Sequence, residues 1–226
     1  MIRGVIPSSL LDWPGALSSV IFLGGCNWLC EYCHNRDLPS IDRISFDDAM
    51  LQIAPVKDMI DHIIISGGEP TLWKEYLEEM IVELRVRGYK VGLHTNGSNP
   101  QFMKSILPIL DFVGMDIKGG EEIYSEWIHG ADIKDIETSV RILQLAEIDY
   151  EFRTTIFPPY FNDKYMESFF NLLRKWRITQ ITVQQFVDSR NLGITAIKYG
   201  DLKKLIDFHS FGVEVFYRGF DKFIIK

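Results

Sequence analysis

Three cysteines, Cys26, Cys30 and Cys33, fall within eight positions, and the chain has no others. An odd number spaced this closely cannot complete a disulfide framework, so a shared ligand is the simpler reading. Thiolates on one loop suit a soft metal centre, either zinc or an iron–sulfur cluster. The spacing Cys-x3-Cys-x2-Cys bears on that choice. A structural zinc ion wants four closed ligands, and His34, adjacent to Cys33, is badly placed to be the fourth around the same ion. A four-iron cubane held by three cysteines keeps one iron without a protein ligand, and that iron can hold a substrate. The plain alternative is three small buried residues.

Other chemistry-bearing residues stand where apolar runs end. Gly67-Gly68-Glu69 follows one such run. A glycine pair there reads either as a turn or as backbone that must come close to a ligand, and Glu69 as a ligand contact or an exposed carboxylate. Thr95-Asn96 precedes Gly97, so this pair is either an Asn-Gly turn or a polar contact site. Asp116 and Lys118, two apart on a strand end, point to the same side, where an ion pair or ligand contacts are the alternatives. Arg153 lies in an apolar segment, where a guanidinium is costly without an anion to meet it. Gln184 and Gln185 are adjacent, so one faces inward, as a ligand contact or a plain buried hydrogen bond.

Positioning these residues falls to an alternation of two kinds of segment. Runs rich in β-branched and aromatic residues at Leu17–Phe22, His62–Ser66, Tyr89–His94, Asp111–Asp116, Tyr150–Ile156, Gln180–Phe186 and Val213–Tyr217 predict buried strands. Between them the period changes to that of helices, over Ser45–Ile60, Trp73–Arg87, Pro100–Leu110, Ile133–Glu147, Lys164–Trp176 and Lys198–Phe208. Repeated βα units call for a parallel sheet with right-handed crossovers. An open, incomplete barrel of six βα units competes with a flat doubly wound sheet. Polar residues collected at carboxyl-terminal strand ends favour the TIM-like barrel, whose active sites are built there.

Composition narrows the rest. The 226 residues are 46% apolar and 13% aromatic, enough to close a core, so disorder is excluded and one domain over 1–226 is expected, with 191–226 as a segment that could cover the barrel mouth. A net charge of −7 gives no general attraction to nucleic acid. No apolar run reaches the ~18 residues of a membrane span, and the N-terminal segment lacks a basic-then-apolar signal, so a cytoplasmic location is expected.

The cysteine loop resembles that of the radical S-adenosylmethionine enzymes, with Tyr32 as the aromatic of their Cys-x3-Cys-x-aromatic-Cys pattern. Further blocks are similar to the glycyl-radical-enzyme activating enzymes, above all to activators of anaerobic ribonucleotide reductase. These blocks are Asp12-Trp13-Pro14-Gly15, Cys33-His34-Asn35, Ile65 to Thr71, Thr95 to Pro100, Gly114 to Lys118 and Tyr150 to Thr155. The resemblance implies that Cys26, Cys30 and Cys33 ligate one [4Fe–4S] cluster, through which they serve catalysis. It implies that Tyr32, Gly67, Gly68, Glu69, Thr95, Asn96, Asp116, Lys118, Arg153 and Gln185 contact S-adenosylmethionine, Arg153 gripping its methionyl carboxylate. The product is a 5′-deoxyadenosyl radical that removes a hydrogen atom from a glycine of a partner, with anaerobic ribonucleotide reductase the expected one. With no cysteine left for a second cluster, the electron comes from a flavodoxin or ferredoxin. His94 departs from the pattern, since activating enzymes usually carry Asp before this Thr-Asn-Gly, which puts any cation site using that Asp in question. Two other readings stand beside this one: the same chemistry on a small molecule, peptide or nucleotide, and a non-catalytic iron–sulfur or zinc protein.

Overall fold

The computed structural model describes residues 1–36, 41–189, 191–198, 200–202 and 212–220. Their elements run β1 (Ile2–Trp13), β2 (Ala16–Leu23), α1 (Phe46–Ile53), β3 (His62–Gly67), α2 (Lys74–Val86), β4 (Lys90–Thr95), α3 (Pro100–Ile106), β5 (Phe112–Asp116), α4 (Glu121–Glu126), α5 (Ile133–Leu145), β6 (Asp149–Ile156), α6 (Asp163–Lys175), β7 (Gln180–Gln185) and β8 (Glu214–Arg218). β1 to β5 hydrogen-bond in chain order, as do β6 to β8. β1 and β2 form an antiparallel hairpin, and the β2–β3, β3–β4, β4–β5, β6–β7 and β7–β8 ladders are parallel. The seven expected strands and the strand-helix alternation are therefore present.

The chain divides into two compact units, each assembled from separate stretches. The first comprises Met1–Asn27, Asn35–Met115 and Lys134–Tyr150, and the second Trp28–His34, Asp116–Ile133 and the described part of Glu151–Lys226.

In the first unit both faces of the parallel ladders are buried, as crossover helices require. One row across the sheet runs Val20, Ile64, Gly92, Phe112 in register. Gly92 contributes no side chain, and the space is taken by Trp13 from the end of β1, which packs with Val20, Ile64 and Phe112. The Trp13 ring lies 5.2 Å from that of Phe112 and 4.5 Å from His62. A Cβ on Gly92 would stand 2.5 Å from Ile64 Cδ1 and 2.9 Å from the Trp13 ring. Glycine at this position thus lets the hairpin dock onto the parallel strands.

The second unit carries β6, β7 and β8. Glu151 on β6 takes both guanidinium nitrogens of Arg218 on β8, at 2.7 and 2.9 Å, and the Thr182 hydroxyl of β7 donates to the same carboxylate at 2.9 Å. One bidentate pair with a third donor ties three strands together.

Four features differ from the sequence expectations. β1 was not expected, because its register shifts between Ile6 and Ser9 and again before Trp13, which breaks the two-residue alternation. Its Pro7 is tolerated because the strand is at an edge. The helix expected over 45–60 stops at Ile53, where Pro55 turns the chain into a 3-10 segment, Ala54–Val56. Pro108 does the same after α3. The short α4 was missed, and the helix expected over 198–208 lies mostly outside the described residues. Among the described residues, no helix is long and apolar enough to cross a membrane.

Replacing Gly92 by Val inserts a branched side chain into the space held by Trp13. Chemical denaturation of Gly92→Val is expected to reveal a loss of about 1–3 kcal/mol. An unchanged midpoint would mean that this space is not filled as described.

Candidate active site

The first unit holds the start and the end of the cysteine loop. After β2 the chain passes through Gly24 and Gly25 to Cys26, whose thiol is in no disulfide and is exposed. The Gly68 amide donates to Leu23 O and the Glu69 amide to Gly25 O, both at 2.8 Å. A side chain on Gly67 would overlap the Leu23 carbonyl, and one on Gly68 the Gly25 carbonyl. Gly67 also has a φ of +128°, which L side chains rarely adopt. The glycine pair is therefore fixed by close backbone approach to the loop. Asn35, beyond the last cysteine, returns to the same place, its Nδ2 donating to Gly67 O at 2.8 Å. Trp73 adds a third tie, Nε1 to Gly24 O at 2.8 Å.

Glu69 is fully buried, and its carboxylate is saturated with donors. Oε1 accepts from Thr71 N at 3.1 Å, Thr71 Oγ1 at 2.6 Å and Thr95 Oγ1 at 2.8 Å, and Oε2 accepts from Asn96 N at 2.7 Å. Burial pushes its pKa up, the four donors pull it down, and the balance lies above the ordinary value. The reading of Glu69 as an exposed carboxylate is thus excluded. The residue links the loop after β3 to the loop after β4, and so presents Thr95 and Asn96, both buried. His94, just before them, is also buried; its Nε2 donates to Asp12 O at 3.0 Å, and Nδ1 lies 3.8 Å from Asp12 Oδ1. The imidazole that stands where activating enzymes usually have Asp thus anchors the end of β4 to the end of β1.

The second unit holds the middle of the loop. Cys30 is buried and Cys33 half-buried, neither in a disulfide, with Cys33 N donating to Cys30 O at 3.3 Å. Between them the Tyr32 ring stacks on Phe157 at 4.9 Å and meets Tyr160 edge-on at 5.6 Å. Its hydroxyl is buried without a hydrogen-bond partner among the described residues, and burial holds its pKa well above the usual phenol range. His34 is exposed and edge-on to Phe186.

Asp116 collects two cations. Lys118 Nζ lies 2.9 Å from Oδ2, and Arg153 places Nε and Nη2 each 2.9 Å from Oδ1. Burial pulls the Lys118 pKa down, but the Asp116 carboxylate, with Tyr32 and Cys30, more than offsets this and holds it well above the usual value. Lys118 Nζ also stands 5.8 Å over the Tyr32 ring. Two cations on one carboxylate leave one positive charge over, in a largely buried place that favours an anionic ligand group. Of the two alternatives for Asp116 and Lys118, the ion pair is present, and Arg153 shares it. Gln184 and Gln185 are both half-buried, and Gln185 Nε2 donates to Ile197 O at 3.2 Å.

Among the described residues no three His, Cys, Asp or Glu side chains converge as ligands of a single metal ion. A four-iron cluster binds each thiolate at a different iron, so its cysteines need separate corners and no common point. Three thiols outside any disulfide and the unpartnered Tyr32 hydroxyl fit such a group. Sequence reasoning missed Thr71, Trp73 and Asn27 as parts of the site. Trp73 and Asn27 act through contacts at long sequence separation that leave no local signal, to Gly24 O and to the Asn96 side chain, whereas Thr71 meets Glu69 only two residues away.

Comparison with known proteins gives the family and the fold. Residues 20–173 match the profile described as the radical SAM superfamily. The chain belongs to that superfamily, which makes S-adenosylmethionine and a [4Fe–4S] cluster its cofactors. Within it, the chain is 30% identical over 181 residues to a Methanocaldococcus jannaschii protein provisionally named a glycyl-radical enzyme activating enzyme, covering 74% of this chain and 72% of that one. It is 34% identical over 108 residues to the pyruvate formate-lyase-activating enzyme of Staphylococcus aureus, covering 42% of this chain and 43% of that enzyme. Among solved structures, a radical SAM methyltransferase from Sphaerobacter thermophilus aligns with a TM-score of 0.72 at 12% identity, over 91% of this chain and 67% of that chain. The structure of anSMEcpe with bound AdoMet aligns with a TM-score of 0.64 at 20% identity, over 86% and 61%. The fold is thus the open βα barrel of the superfamily, as expected from the sequence.

Glu69→Gln turns an NH2 group toward donors that need an acceptor, and at least one buried backbone N–H loses its partner. The expected cost is about 1–3 kcal/mol in denaturant unfolding. A carboxyl whose folded pKa is raised contributes stability that is complete below its unfolded pKa and is lost as pH rises through the folded one. Wild-type stability should therefore contain a component that declines from mildly acid toward neutral pH and is missing from Glu69→Gln. Identical pH profiles would contradict the raised pKa.

Proposed function

We propose that this chain activates a glycyl-radical enzyme, with anaerobic ribonucleotide reductase as the partner. The similarity to a named activating enzyme over 181 residues supports the activating role, and the choice of partner rests on the sequence blocks that resemble activators of that reductase. When bound and reduced, the cluster and S-adenosylmethionine supply a 5′-deoxyadenosyl radical, which removes a hydrogen atom from a backbone glycine of the partner.

The chain's own residues provide ligands, charge and exclusion of water. Cys26, Cys30 and Cys33 would hold the cluster through their thiolates and leave it one position for S-adenosylmethionine. The surplus positive charge of Lys118 and Arg153 about Asp116 receives the methionyl carboxylate. Backbone groups at Gly67-Gly68, held against the cysteine loop, meet the methionyl amino group. Thr95, Asn96, Tyr32 and Gln185 complete the surroundings of the ribose and adenine. Glu69 acts through Thr95 and Asn96, because its own oxygens are already occupied. A flavodoxin or ferredoxin in the cytoplasm supplies the electron.

The test is anaerobic reconstitution with iron and sulfide, then S-adenosylmethionine and a strong reductant, with 5′-deoxyadenosine quantified. Wild type should form it and Cys30→Ala should not; a protein that holds a single zinc ion and forms none would overturn the reading. Adding the reductase should then produce a glycyl-radical doublet in its electron paramagnetic resonance spectrum, and failure with this partner while another substrate is consumed would favour radical chemistry on a different target. Arg153→Gln should raise the S-adenosylmethionine concentration for half-maximal cleavage by roughly tenfold, the value of one charge-assisted hydrogen bond. An unchanged value would confine Arg153 to its ion pair with Asp116.

A further inference from the structure

Asn96 lies within reach of the first cysteine as well as beside Glu69. Its Nδ2 is 4.0 Å from Cys26 Sγ and 3.1 Å from Asn27 Oδ1. Which end of the amide faces the sulfur follows from its other neighbour. Ser98 N can only donate, and it lies 2.9 Å from Asn96 Oδ1, so the oxygen end is fixed there and the NH2 end faces Cys26 and Asn27. Asn27 is itself oriented, its Nδ2 donating to Ser98 Oγ at 2.9 Å while its Oδ1 accepts from Asn96. The Asn96 amide N–H is bound to Glu69 Oε2, which fixes the backbone from which the side chain projects. An NH2 group has two hydrogens, enough to serve both Asn27 and the sulfur. Asn96 as a residue is 94% buried, and burial of the donor strengthens a hydrogen bond to a charged acceptor, here the sulfur of the exposed Cys26.

We propose that Asn96 is a positioning residue for the cluster: its side-chain amide donates an N–H···S hydrogen bond to the Cys26 thiolate, stabilising that thiolate and making the bound cluster easier to reduce. This rests on Cys26 being a cluster ligand and deepens that reading. The physics is direct. A donor aimed at sulfur stabilises the more negative of two charge states. In the apoprotein that state is thiolate over thiol, and in the loaded protein it is the reduced over the oxidised cluster. Radical generation needs an electron on the cluster, so such a bond bears on the step that starts the reaction. Glu69 then contributes at one remove, by holding Asn96 in place.

Two variants separate the hydrogen bond from other effects. Asn96→Asp keeps an oxygen for Ser98 N but puts a negative charge near the sulfur. Asn96→Leu has similar size with neither donor nor charge. Circular dichroism establishes folding, with Asn96→Ala replacing Asn96→Leu if the latter does not fold. In the full-length apoprotein carrying Cys30→Ser and Cys33→Ser, the pH profile of iodoacetamide alkylation reports on Cys26 alone. Both variants should move the midpoint of that profile to higher pH, with roughly a two- to tenfold loss of thiolate at pH values below it. In the reconstituted protein with all three cysteines, redox titration followed by electron paramagnetic resonance should give a more negative midpoint for both. If Asn96→Leu, or Asn96→Ala in its place, leaves both midpoints unchanged, the proposal fails, even where Asn96→Asp shifts them, because charge alone then accounts for the effect. A chain that takes up no cluster would sink the ligand role of Cys26, whereas the alkylation profile would still decide whether Asn96 donates to its sulfur.

Discussion

Glu69 carries a carboxylate that water does not reach, and its protein donors determine how the first half of the site is built. A buried charge is tolerated only where several donors replace its hydration. Here they come from Thr71, two residues on, and from Thr95 and Asn96 at the end of the next strand. Satisfying the carboxylate therefore requires the loop after β3 and the loop after β4 to meet at one geometry. The Glu69 backbone is constrained as well, since its amide donates to Gly25 O one residue before Cys26. The same residue thus links two strand ends and the entrance of the cysteine loop, and Gly67 and Gly68 are needed because no side chain fits where the backbones meet.

The second unit solves a different electrostatic problem. Asp116, Lys118 and Arg153 are all at least three-quarters buried by side chain, and their charges do not cancel. A group of this kind is stable when an anion completes it, whereas Glu69 is complete without a ligand. The contrast assigns two tasks to residues that look alike in the sequence: Glu69 organises backbone, and the Asp116 group keeps a charge for a ligand. His94 belongs with the first kind. It uses its Nε2 on the Asp12 carbonyl, so the hairpin that brings Trp13 into the core also steadies the strand that ends in Thr95 and Asn96.

Much of this was legible in the sequence, for identifiable reasons. β2 to β7 announce themselves because strands with buried faces read as short apolar runs between polar turns, and β8, although partly exposed, by its run Val215-Phe216-Tyr217. β1 does not, because bulges disturb its alternation and its middle is exposed. Helix ends were overrun at Pro55 and Pro108, where the amphipathic pattern continues but the backbone cannot. In the site, the cysteine spacing and the same-side placement of Asp116 and Lys118 depend only on local sequence and were read correctly. The burial of Glu69, the sharing of Asp116 with Arg153 and the approach of Asn96 to Cys26 each depend on residues more than 25 positions away, and no local pattern encodes them.

The claim on which the account rests is that Glu69 accepts the backbone amides of Thr71 and Asn96. Residue-resolved amide hydrogen exchange on the folded chain tests it directly. Both amides lie outside regular strands and would exchange quickly if exposed to solvent. The account predicts protection comparable to the β3–β4 ladder at Ile64 and Ile65. Exchange of Thr71 and Asn96 at the rate of open loops, with that ladder still protected, would contradict it.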